Sequence, residues 1–96
     1  MKKIHSVQRA EERYYIDDFK PNYVLREIMD DKCVLMKTDQ DRFSNTFMML
    51  YNNKYIKVVT DLNLEYIKTV LPLNTEDFGF IENLIQKLSQ FNQVAA

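Results

Sequence analysis

Within its first thirteen residues the chain places its only histidine, His5, four positions before Arg9, which itself stands four positions before Arg13. An imidazole titrates near neutral pH and can carry a proton, and guanidinium groups one helical turn apart can hold a phosphate through charge-assisted hydrogen bonds. Those are the parts that phosphodiester cleavage needs. It requires an acid or base for a ribose 2′-hydroxyl and the leaving oxygen, and cations where negative charge gathers in the transition state. The same residues also suit a solvated helix face, on which Glu12 would pair with a neighbouring arginine for roughly 0.3 kcal/mol.

The spacing around these residues predicts the element that carries them. Val7, Ala10 and Tyr14 recur at three and four from Ser6 to about Tyr15, with Ile4 just ahead and Ser6 placed to cap a helix start. At about 100° per residue, His5, Arg9, Glu12 and Arg13 fall within one third of the circumference, opposite that apolar stripe. Pro21 suits the first position of a second helix, where its missing N–H costs nothing, and Val24, Leu25 and Ile28 give that helix an apolar side ending near Asp30-Asp31.

Strands are predicted at Cys33 to Lys37, Thr46 to Tyr51 and Tyr55 to Thr60. The last two flank Asn52-Asn53, a pair that accepts the left-handed backbone of a two-residue hairpin turn. A second turn at Asp61 to Leu64 leads into Glu65 to Leu71, rich in β-branched and aromatic residues and stopped by Pro72. Thr75, followed by Glu76 and Asp77, reads as a helix start with a capping hydroxyl and dipole-favoured acids, and Phe78, Ile81, Leu84, Ile85, Leu88 and Phe91 form a stripe behind it. Packing on the sheet is the expected cover for that stripe, a partner or dimer contact the alternative. The predicted fold is α+β: two N-terminal helices, an antiparallel β-meander of three to four strands and a C-terminal helix.

Composition narrows what such a domain can do. Ninety-six residues, 46% apolar and 28% charged, suit one globular domain over residues 1–96. Met1-Lys2-Lys3 turns polar at once instead of opening an apolar secretion signal, so the expected location is the cytoplasm, the host's if the chain is phage-encoded, with no membrane association. Cys33 is the only cysteine, which excludes an internal disulfide and, with a single histidine, a zinc site built from those ligands. Its apolar surroundings predict a buried side chain. One glycine, Gly79, cannot make a phosphate-cradling loop, and no serine, histidine and acid set stands out. Asp17-Asp18 and Asp30-Asp31 read as helix-boundary residues, so neither cofactor nor metal is expected.

Thirteen basic and fourteen acidic residues give a formal charge of −1, so any contact with RNA must use a local patch. Tyr14, Tyr15, Tyr51, Tyr55 and Tyr66 are of a type that stacks on bases, and equally of a type found half-buried in sheets and helices.

The histidine followed by Arg9-Ala10-Glu11-Glu12-Arg13 and Ile16, a second helix, and a meander ending in Tyr66-Ile67-Lys68-Thr69-Val70-Leu71-Pro72 resembles the RelE-like branch of the barnase/EndoU/colicin/RelE nucleases. It is similar in particular to small phage and bacterial members of the RegB type, over roughly residues 4 to 72. The resemblance implies a metal-independent endoribonuclease, a toxin or phage tool, cleaving RNA by 2′-hydroxyl attack. It implies His5 as general acid or base, Arg9 and Arg13 as phosphate ligands, and Thr69 approaching from the last strand. Lys68 is the alternative to Thr69, since adjacent strand side chains point to opposite faces.

The chain departs from that pattern in its slight acidity, its lack of a second histidine and its extra C-terminal helix. RNA, free or ribosome-associated, is the expected partner. The rival expectation is a non-catalytic phage-type protein that binds and inhibits a host protein such as a defence-system component, and a homodimer through the C-terminal helix is a further expectation.

Overall fold

In the computed structural model of the chain, residues 4–95 are described, with side chains through Phe91. The opening Met1-Lys2-Lys3, read above for a secretion signal, lies outside them. Helix α1 spans His5–Tyr14 and α2 spans Pro21–Met29, with Pro21 in the first turn as its locked backbone favours. Four antiparallel strands follow in simple meander order: β1 Val34–Asp39, β2 Ser44–Tyr51, β3 Lys54–Asp61 and β4 Ile67–Leu71. A 3-10 turn at Thr75–Asp77 then runs into α3, Phe78–Ala95. No helix among the described residues is long and apolar enough to cross a membrane.

Strand alternation divides the apolar residues between two faces. Met49, Tyr51, Ile56, Val58, Ile67 and Val70 meet Ala10 of α1 and Val24, Leu25 and Ile28 of α2 in one buried cluster. Met48, next to Met49 in β2, is fully buried outside that cluster, as is Leu84 of α3, which packs on β1 and β2. The sheet therefore carries α1 and α2 on one face and α3 on the other. Tyr51 ties the α1–α2 connection to the first layer: its hydroxyl donates to Asp18 O at 2.8 Å and accepts the Lys20 N–H at 3.0 Å. The Phe19 and Tyr23 rings flank it at 5.2 and 5.8 Å.

Three local expectations are corrected. Ser6 does not cap α1. The helix starts a residue earlier, behind Ile4 with no side-chain cap, so Ser6 lies inside the first turn and faces the core, where its hydroxyl has no partner among the described residues. Thr75 does not cap the last helix either. Asn74 Oδ1 accepts the Glu76 N–H at 3.1 Å and Asp77 Oδ2 accepts the Asn74 N–H at 2.9 Å, a reciprocal capping box. The α3 stripe is only partly covered by the sheet: Leu84 is buried, while Phe78, Ile85 and Phe91 stay exposed.

Bulges interrupt both outer strand pairs. Leu35 and Lys37 oppose the consecutive residues Phe47 and Thr46, leaving Met36 as an extra residue. Likewise Thr69 pairs with Val59 and Ile67 with Thr60, leaving Lys68 as an extra residue in β4. A bulge breaks the strict in-out alternation of side chains, and the second bulge decides where the end of β4 presents its polar groups.

Candidate functional site

α1 docks on β4 through polar contacts at its C-terminal end. Arg13 Nη1 donates to Val70 O at 2.6 Å, and the Tyr14 hydroxyl donates to Leu71 O at 2.5 Å while accepting the Lys57 N–H at 3.3 Å. Burial raises the Tyr14 pKa above its ordinary value, which keeps that hydroxyl a donor. Arg13, expected to hold phosphate, is thus engaged by the backbone of the last strand.

The first two turns of the same face are open. His5 is exposed, and its Nε2 accepts a long hydrogen bond from Arg9 Nε at 3.4 Å, so the imidazole and a guanidinium sit side by side as the four-residue spacing requires. Arg9 Nη1 also meets Glu12 Oε2 at 2.7 Å. Hydrogen bonds from Gln8 and then Arg9 hold the Glu12 carboxyl below its ordinary pKa. Two surface cavities among the described residues, one bordered by β1 to β4 and the start of α3 and one near the β2–β3 turn, are lined by no residue of α1.

Thr69 lies elsewhere. With Lys68 it lines a trough of about 680 Å³ on the α3 side of the sheet, opposite the face on which Val70 meets Ala10. The expectation that Lys68 and Thr69 must face opposite ways fails at the β4 bulge, because the extra residue lets both border the same cavity. His5 and Arg9 are brought together, and Arg13 reaches β4 one residue from Thr69. The Thr69 side chain belongs to the trough.

Four basic side chains line this trough, Lys37, Arg42, Lys57 and Lys68, against two acidic ones, Asp39 and Asp77, with the hydroxyls of Ser44, Thr46 and Thr69 between them. Lys57 Nζ meets Asp77 Oδ2 at 3.1 Å, a pair whose side chains are 12% and 7% exposed and which fastens the start of α3 to the middle of the sheet. Lys68 Nζ donates to Arg42 O, Phe43 O and Ser44 Oγ at 2.9, 3.0 and 3.0 Å, spanning from β4 to the β1–β2 turn with uncharged acceptors only. Arg42 keeps its side chain 84% exposed, and its Nε lies 3.9 Å from Asp39 Oδ2, a loose contact. Apart from the pair made by Lys57, positive charge outweighs negative here, which suits an anionic ligand with several phosphates.

Arg42, Lys37 and Lys57 were not singled out by reading the sequence. Lys57 carries a signal that points to it: a lysine between Ile56 and Val58 in a central strand must face away from their core and needs a carboxylate when covered. Arg42 and Lys37 carry no such signal: register sets Lys37 in one cross-strand row with Thr46, Val59 and Thr69, and the β1–β2 turn carries the Arg42 carbonyl to Lys68.

No protein-family model, curated protein or solved structure matches this chain.

Proposed function

We propose that the protein binds RNA and cleaves it without a metal, as an endoribonuclease of the RelE- and RegB-like kind. The observation that carries the reading is the trough: on a chain of formal charge −1, four basic side chains and three hydroxyls border one cavity with only two carboxylates. A phosphodiester backbone is the polyanion such a surface fits, and a local patch of this kind is what a near-neutral RNA-binding chain requires.

β4 is an outer strand of the sheet, with α1 docked on it from one face and the trough bordered by Lys68, Thr69 and Leu71 on the other. An RNA strand crossing that edge meets the cations of the trough and the His5–Arg9 pair in succession. In this reading His5 moves the proton of the 2′-hydroxyl or of the leaving oxygen, and Arg9 exchanges Glu12 for the phosphate. Arg13 acts through the fold, holding α1 to β4. Thr69 contacts the backbone of the bound strand from within the trough.

The test is cleavage of single-stranded RNA in the presence of EDTA by the native chain, His5→Ala, Arg9→Ala and Thr69→Val. Cleavage that is lost in His5→Ala and reduced at least tenfold in Arg9→Ala supports the assignment. Equal cleavage by the native chain and His5→Ala removes His5 from the chemistry, and no cleavage by the native chain removes the enzyme reading.

A second reading has its own observation. Phe78 and Ile85 of α3, two turns apart on one side of the helix, stay 57% and 47% exposed, a short apolar row that the sheet does not cover. Such a row suits a non-catalytic protein that docks on a host component or pairs with a second copy through α3. Sedimentation of the native chain and of Phe78→Ser/Ile85→Ser, beside the cleavage assay, separates the two. A stable complex lost in the double variant, from a chain without nuclease activity, favours the binder.

A further inference from the structure

We propose that the β1–β2 turn recognises a base of single-stranded RNA, with the Phe43 ring stacking on the base and the Arg42 guanidinium holding the adjacent phosphate. The proposal rests on the RNA-binding reading above and deepens it by naming the form of the nucleic acid and the residues that sense it.

Phe43 gives up stability twice. Its backbone is left-handed at φ 52°, and its side chain is 67% exposed. The left-handed conformation costs a bulky residue about 1–2 kcal/mol, and an exposed ring recovers little by burial. The same chain places asparagines, Asn52 and Asn53, at φ 48° and 65° in its other tight turn, where only the turn matters. A phenylalanine in this conformation pointing into water therefore has no use within the fold, and strain of this kind concentrates at binding sites. Tyr15 shares the conformation and the exposure as the C-cap of α1; neither ring lines the trough, but Phe43 stands between two residues that do, Arg42 and Ser44.

The turn is held firmly enough to present a ring. The Phe43 N–H donates to Gln40 O at 3.2 Å, the Arg42 N–H to Asp39 Oδ1 at 3.3 Å, and Ser44 Oγ to Arg42 O at 3.0 Å. Lys68 Nζ grips the Arg42 and Phe43 carbonyls from β4, so the β4 bulge and the turn form one unit. What remains exposed is a cation that lines the trough and, on the next residue, an aromatic ring. Phosphate and base one nucleotide apart present the matching pair of groups, and only an unpaired base offers its face to a ring. Tyr66, 54% exposed, stands at the same end of the meander and supplies a second aromatic surface.

The experiment compares binding of a fluorescent single-stranded RNA oligonucleotide, the same strand with abasic sites, and the corresponding duplex, to the native chain, Phe43→Asn and Arg42→Ala. The expected result is a loss of roughly tenfold for Phe43→Asn on the single strand and little change on the abasic strand, since stacking on one ring carries that order of affinity. Arg42→Ala should weaken both strands. Asparagine accepts the left-handed backbone, so the melting temperature of Phe43→Asn should hold or rise, which excludes unfolding as the cause.

Phe43→Trp adds a direct readout, because the chain has no other tryptophan and its fluorescence should be quenched by the single strand. Equal affinity of Phe43→Asn and the native chain for the single strand, with Arg42→Ala still weakened, overturns the stacking proposal and leaves the RNA reading standing. Duplex bound as tightly as the single strand also overturns it. Absence of any RNA binding by the native chain overturns both.

Discussion

Ser6 shows how a single side chain can be legible in type and wrong in place. A serine just ahead of an apolar period reads as a cap, but the backbone enters the helix at His5, and the turn that results points the hydroxyl inward beside Ala10. A buried hydroxyl without a partner costs about 1–3 kcal/mol. Ser6→Ala should therefore raise unfolding stability by about 1 kcal/mol in urea titration, and a destabilised variant would mean that the hydroxyl has a partner after all. Cys33 was legible in full, because an apolar run around a lone cysteine predicts burial. The side chain is 4% exposed and burial pushes its pKa up to about 12. A folded pKa above the unfolded one means that this contribution to stability is complete below the ordinary thiol range and is lost progressively as pH rises from that range to about 12. Alkylation of the native chain at pH 8 should accordingly run at the rate of unfolding, and fast alkylation in the absence of denaturant would contradict the buried placement. His5 and Arg9 were likewise legible from a four-residue spacing. The partner of Arg13, a backbone carbonyl 57 residues away, was not, since no side-chain type encodes it.

At the scale of elements, local chemistry was readable and register was not. The Asn52-Asn53 hairpin follows from the tolerance of asparagine for positive φ, and α2 follows from Pro21. Met36 and Lys68 are ordinary strand residues, so nothing in their type announces a bulge, yet the bulge at Lys68 sets which side chains face the trough. α3 is likewise fixed by pairing that spacing does not reveal. Its start is held by the Lys57–Asp77 pair and its middle by Lys87, whose Nζ donates to Asp31 Oδ1 at 2.6 Å and Cys33 O at 2.9 Å. These two anchors should differ sharply in worth. Asp77→Ala leaves a covered ammonium without its carboxylate and removes a helix cap, a loss of about 3–5 kcal/mol. Lys87→Ala breaks a pair with Asp31, whose side chain is 81% exposed, and should cost under about 1 kcal/mol. Urea unfolding of the two variants checks the order, and similar midpoints would mean that the buried pair does not anchor α3.

Over the whole molecule, the formal charge of −1 and the basic trough act at different ranges. Net charge governs attraction beyond a Debye length, about 8 Å at physiological salt, so the chain lacks the long-range pull of a basic RNA-binding protein. Contact electrostatics depend on the trough alone, whose residues are scattered from Met36 to Phe80 and become neighbours only through the sheet and α3. That separation is why the site was not legible from composition, which averages over surfaces that the fold keeps apart. It also leads to a quantitative expectation. Lys57 is already neutralised by Asp77, and Arg9 by Glu12, which leaves Lys37, Arg42 and Lys68 to displace counterions if a strand binds as proposed. Each phosphate neutralised on single-stranded nucleic acid contributes about −0.7 to the slope of log affinity against log salt concentration, so three contacts give roughly −2. Lys37→Gln/Arg42→Gln should flatten that slope to about −0.7 while association rates stay weakly dependent on salt in both proteins. Titrations of labelled RNA between 50 and 200 mM salt, as approximate limits, read the slope directly. Binding with no salt dependence, or a slope unchanged in the double variant, would place the RNA on some other surface than this trough.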